Sequence, residues 1–198
     1  MSKRFDYDRV TWAIKLYNSS SKKKGEFTGI LPLPEKEDYG LDSTATGYTK
    51  NGVFDRIPVE FKTITDRFGD VYDGNEWGEF YTGKAMRASK NVKWKTEWKD
   101  EGQPLHFINW AKYEKLMKGR GALIYIFEHG LLIFNKKALK NALVGKAAVY
   151  GRLTTEFDAT YGWQDKAVLD LSKFSEWINY NTPFEYWHDK HGDSREIS

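Results

Sequence analysis

"IPVEFKTITDRFGD", residues 57–70, opens like a core strand and ends like a polar loop. Side chains alternate along a strand, so Val59 and Phe61 share one face while Glu60 and Lys62 share the other. Such a pair has two readings: a solvated face carrying opposite charges, or an acid and an amine set side by side for chemistry. The segments around it weigh between them.

Upstream lie "GLDSTATGYT", the turn "KNG" and then "VFDRIPVEFKTI". An Asn-Gly step between two extended segments predicts a β-hairpin. Centred on Asn51, a three-residue loop places Asp42 across from Glu60, with facing Cβ atoms about 4.5–5.5 Å apart. A two-residue loop shifts the register by one and turns Asp42 to the opposite face. Two carboxylates at the first spacing suit one Mg²⁺ (or Mn²⁺ in its place), which takes oxygen ligands at about 2.0–2.1 Å. The backbone carbonyl of Phe61 is a further candidate ligand. Such an ion stabilises charge on a phosphate and generates a hydroxide-like nucleophile at neutral pH. Lys62 would orient or deprotonate that water. Asp55 competes as the first acid, but its odd offset from Glu60 puts it on the other face of a regular strand. A second Glu-x-Lys, Glu97 to Lys99, has no hairpin before it.

The chain of 198 residues is long enough for one domain with a substantial core. Its 8 Trp, 12 Tyr and 12 Phe make it too apolar for a disordered chain. Without cysteine it has no disulfide, thiol chemistry or Cys-based zinc site, and the four histidines show no zinc-ligand pairing. No apolar run approaches a membrane span and the start lacks a signal-peptide core, so the expectation is a cytoplasmic protein without a membrane partner. The formal charge of +3 is modest, but it is unevenly spread. Residues 84–99, "KAMRASKNVKWKTEWK", set six basic side chains against the single acid Glu97, whereas "EKEDYGLD" at 35–42 is acidic. Each run alone reads as solvated surface. Together they suit an acidic metal site in basic surroundings. Lys84, Arg87, Lys90 and Lys93 are the candidate phosphate contacts, and such contacts position a nucleic acid without reading its sequence.

Along the chain, Val10, Ala13, Ile14 and Tyr17 mark an amphipathic helix over 6–19. "EFTGILPLP" reads as a first strand, and 66–83 as a Gly/Asp-rich loop. "PLHFINWAKYEKLMKG" reads as one helix with Phe107, Trp110, Ala111 and Met117 on a face. "ALIYIF" and "LLIF" read as a buried hairpin, and Asn135 as the cap of "KKALKNAL". "AVLDL" reads as a strand, "SKFSEWINY" as a helix. The expectation is a mixed α/β domain over 1–198, a central mixed sheet flanked by helices, with its core at about 6–135 and an extension from 136.

Asp42, then "VEFK" with Glu60 and Lys62, inside the order helix, hairpin, helix, strand, resembles the PD-(D/E)XK nuclease superfamily over roughly residues 6–135. Leu41 stands where the proline of the family's name would be. "HFINWAKYEKLMKGRGALIYIFEHGLLIF" is similar to the region after the active site of certain type II restriction endonucleases, with Ala111-Lys112-Tyr113 as the matching helix. Bacterial Holliday-junction resolvases have a similar helix with a histidine near its start, here His106. The resemblance implies a restriction-endonuclease-like core and an Mg²⁺-dependent deoxyribonuclease, with Asp42 and Glu60 as metal ligands and Lys62 as the catalytic lysine. Its partners would be double-stranded DNA, a second copy of the chain in a homodimer for a palindromic site, and a cognate methyltransferase. His106 and Asn109, placed near the helix start, are further candidates to reach DNA. A non-catalytic nucleic-acid or carbohydrate-binding module, its aromatic rings stacking on bases or sugars, is the alternative.

Overall fold

The amphipathic helix forms where its spacing places it. In the computed structural model, which describes residues 3–20, 27–31, 44–63, 89–99, 101–127, 130–153 and 160–179, α1 spans Lys3–Ser19. Val10, Ala13, Ile14 and Tyr17 are all buried. Tyr17 also donates its hydroxyl to the Phe27 carbonyl at 2.9 Å. That bond ties the helix to the short strand β1, Gly29–Ile30.

The hairpin follows as β2, Thr44–Thr49, and β3, Gly52–Thr63. Its register departs from both versions counted from the turn. Thr49 pairs with Gly52, so the turn is Lys50–Asn51, and then one β2 residue, Tyr48, lies opposite four of β3 before Gly47 meets Ile57. This irregularity makes Thr44, rather than Asp42, the backbone partner of Glu60. Counting outward from a turn assumes an unbroken ladder, and a bulge resets the count.

β3 is central. Its other edge pairs in parallel with β6, Ala122–Phe127, which continues antiparallel into β7, Gly130–Phe134. A parallel neighbour demands a long crossover. The chain between them carries β4 (Val92–Trp94), β5 (Leu105–Asn109) and helix α2 (Trp110–Lys118). Helix α3, Lys136–Ala142, comes after β7, with Asn135 accepting from the Ala138 N–H at 2.9 Å. Then come β8 (Leu143–Arg152), β9 (Tyr161–Asp170), a 3₁₀ turn (Leu171–Lys173) and β10 (Glu176–Asn179). The first sheet runs β1-β2-β3-β6-β7-β10 and is mixed; the second runs β4-β8-β9-β5 and is antiparallel. The protein is therefore mixed α/β, a mixed sheet flanked by helices, with a second sheet beside it. Among the described residues no helix is long and apolar enough to cross a membrane.

Two expectations are corrected. "HFIN" is strand, not the first turn of a helix: Leu105 to Asn109 pair with Asp170 to Lys166, and the helix begins only at Trp110. "SEWIN" is strand β10, not helix: Glu176 and Ile178 are buried, and the segment pairs with β7. Among the described residues after 136, β8 and β9 belong to the second sheet and β10 to the first.

The core is layered. Val59 and Phe61 of β3, with Ala122, Ile124 and Ile126 of β6, pack under α1. The opposite face of the same strands, with Leu123, Tyr125 and Phe127, packs under α2, α3 and Ala167 and Leu169 of β9. Glu60 and Lys62 belong to that second face. On it Glu60 is buried and Lys62 half-buried.

Candidate active site

Glu60 is 3% exposed, and a carboxylate so enclosed needs a partner to offset its desolvation. One partner is Lys112 of α2, whose Nζ lies 2.8 Å from Oε1. Helix α2 is aimed by its own N-terminus. Asn109, the last residue of β5, accepts the Ala111 N–H at 2.8 Å and starts the helix directly from the strand. Tyr113 and Leu116 then anchor α2 in the core, and Lys112, next to Tyr113, reaches across to β3.

Around this pair stand further basic groups. Lys62, two residues along β3 on the same face, neighbours Tyr125 of β6 in the parallel register. The Tyr125 hydroxyl lies 3.1 Å from His106 Nδ1, and the two rings meet edge to face at 5.1 Å. Burial, reinforced by the charges of Lys62 and Lys166, pushes the His106 imidazole down to about 3, so it is neutral at pH 7. Burial likewise raises the Tyr125 phenol. Lys166 of β9 is held below the ordinary lysine range, by burial first and then by Lys62 and Lys112. Its ammonium sits 5.9 Å from the Phe107 ring centre.

Four elements, β3, α2, β5 and β9, thus converge on one acid, three lysines and a neutral histidine. Lys62 and Lys112 lie close enough to Lys166 to lower its basicity, and among the described residues these three lysines beside the buried Glu60 carboxylate leave local positive charge. That field suits an anion such as phosphate.

Among the sequence-predicted residues, Glu60 and Lys62 are brought together on the covered face. Asp42, Lys84 and Arg87 lie outside the described residues, as does the Asp55 side chain. Phe61, whose backbone carbonyl was the candidate ligand, lies inside the β3–β6 ladder opposite Ile124, with its side chain in the core beneath α1. His106 is engaged inside the fold with Tyr125, and the Asn109 carbonyl is committed to its cap. Lys90 and Lys93 are exposed on the second sheet's side of the molecule, Lys93 with its ammonium 4.2 Å from the Trp163 ring centre. Sequence reasoning assigns no place to Lys112, which contacts Glu60, or to Lys166, which lies near Lys62 and Lys112. For Lys112 the "AKY" match was the available signal; Lys166 lies 106 residues from Glu60 in sequence, and no local pattern marks it.

The donor set fits a divalent ion in part. Glu60 supplies one carboxylate, and among the described residues no group of three or more His, Asp or Glu side chains is arranged to hold a metal. For such an ion a second carboxylate would have to come from outside the described residues. Comparison with known protein families, with curated proteins and with solved structures finds no match for this chain.

Proposed function

We propose that this chain is a divalent-metal-dependent nuclease hydrolysing phosphodiester bonds in double-stranded DNA, with a restriction-endonuclease-like core. The observation that carries the reading is the buried Glu60 sharing a covered face of a central strand with Lys62, while Lys112 of the "AKY" helix contacts its carboxylate. Glu60 would be one metal ligand and Asp42, two residues before the strand that pairs with Glu60, the second. Mg²⁺ bound there would polarise the phosphate and activate water. Lys62 would orient that water. Lys112 and Lys166 would hold the non-bridging phosphate oxygens, and Lys166, with its lowered basicity, would deliver a proton to the leaving oxygen. A second copy of the chain would present an equivalent site to the other strand of a palindromic target.

A second reading has its own support. The Glu60 charge is already matched by Lys112, which favours an anion-binding module that does not cut. One experiment separates the two: Mg²⁺ titration on plasmid and genomic DNA with EDTA as control, in wild type and Glu60→Gln. Metal-dependent cutting that disappears in the variant, with DNA binding retained, supports the nuclease. Cutting that persists in Glu60→Gln removes this site from the reaction. Equal cleavage of four-way junctions and linear duplexes would argue against a junction-specific enzyme.

A further inference from the structure

Of the five large hydrophobic side chains that are exposed among the described residues, four lie at one end of the β8–β9 hairpin: Tyr150, Leu153, Tyr161 and Trp163. Tyr150 and Trp163 are direct cross-strand partners, so their rings stand on one face of the sheet. Their centroids are 5.5 Å apart, and Tyr161 lies 6.5 Å from Tyr150 with its ring tilted by only 26°. Exposures of 41% for Tyr150, 58% for Tyr161 and 43% for Trp163 leave ring surface open to solvent. Clustered exposed aromatics of this kind mark a contact surface.

We propose that this ring cluster is a stacking surface for single-stranded nucleic acid, separate from the Glu60 site and independent of whether that site cuts. The charges select the occupant. β4, β8 and β9 carry two acids, Asp165 and Asp170. Asp170 is spent on the 3₁₀ turn, accepting the Ser172 N–H at 2.9 Å. Asp165 is spent on Lys95 at 2.7 Å and Lys146 at 3.5 Å. Among the described residues the charge left beside the rings is therefore cationic, with Lys90 and Lys93 exposed and the Lys93 ammonium 4.2 Å from the Trp163 ring centre. An exposed cation–π contact of this kind is weak enough to exchange for a phosphate while a base takes the ring face. A second copy would bring like charges together.

The test is fluorescence anisotropy of labelled oligo(dT) and oligo(U) against a duplex of equal length, in EDTA so that no strand is cut. The full chain should bind the single strands more tightly than the duplex. Trp163→Ala and Tyr150→Ala should each weaken that binding by at least about fivefold, Trp163→Phe by much less, and Lys93→Ala should flatten the salt dependence. Near-UV circular dichroism and thermal unfolding check that the variants fold. Wild-type affinity in the ring variants, an equal loss on the duplex, no single-strand binding by the wild type, or a concentration-dependent dimer abolished by Trp163→Ala in its place would each overturn the proposal.

Discussion

Glu60 and Lys112 meet at 2.8 Å where water is scarce, so each depends on the other more than a surface pair would. Glu60→Gln leaves a partly buried ammonium short of its counter-charge and should cost about 1–3 kcal/mol in urea unfolding. Combining it with Lys112→Met should recover part of that loss, because the stranded charge goes too. If the nuclease reading holds, the single variant also lowers cleavage by at least about a hundredfold. His106 offers a second residue-level expectation. Its ring takes a proton near the ordinary histidine value when unfolded but only at about 3 when folded. As pH falls from about 6.5 toward 3 the unfolded chain binds a proton that the folded chain refuses. Stability should therefore fall with falling pH across that window, by at most about 1.4 kcal/mol per pH unit from this group, and should be flat above it. His106→Gln should reduce the slope between pH 7 and pH 5, measured as the shift in urea midpoint.

At the scale of elements, α2 positions Lys112 and owes its start to Asn109. Asn109→Ala should cost about 1 kcal/mol and reduce any activity at the Glu60 site. Asn135→Ala removes the equivalent cap from α3 and should cost a similar amount while leaving the site's activity intact. That contrast separates a positional effect from a loss of stability. The far end of α2 is equally constrained. The Gly121 N–H bonds the Leu116 carbonyl at 3.0 Å, and a Cβ at Gly121 would lie 2.5 Å from the Leu116 backbone. Gly121→Ala should therefore lower the unfolding temperature, by an overpacking cost of about 1–3 kcal/mol. Elements with strong local signals were legible in advance: α1 by its apolar spacing, β6 and β7 by unbroken apolar runs, α3 by its cap. "HFIN" and "SEWIN" were not, since each short run is compatible with helix until a partner strand is known.

For the molecule as a whole, the first sheet needs its last strand. Ile178 of β10 is 3% exposed and joins the core shared with α1 and β3. Ile178→Ala should destabilise the protein by about 2–5 kcal/mol, read from thermal or urea unfolding. A mobile extension would show almost no effect. The second sheet roofs the face that carries Glu60, with β5 and β9 contributing His106 and Lys166 to the site. Neither its four-strand order nor its position was readable, because β4 is three residues long and its partner β8 begins 49 residues beyond it. Pairings across that separation leave no periodic trace in either segment.

Residue order alone determined the alternation along β3, and therefore that Glu60 and Lys62 share a face, because two-residue periodicity is a property of the extended backbone. It also determined the helix that buries Val10, Ala13, Ile14 and Tyr17, and the pair of apolar strands at the centre. Tertiary structure decided what covers the Glu60 face, which turned a charge pair at the end of an apolar run into a buried acid among three lysines. It also decided the hairpin register, since the bulge beside Tyr48 breaks the count from the turn. Both depend on contacts between distant segments, and only the assembled packing supplies the energy that selects them.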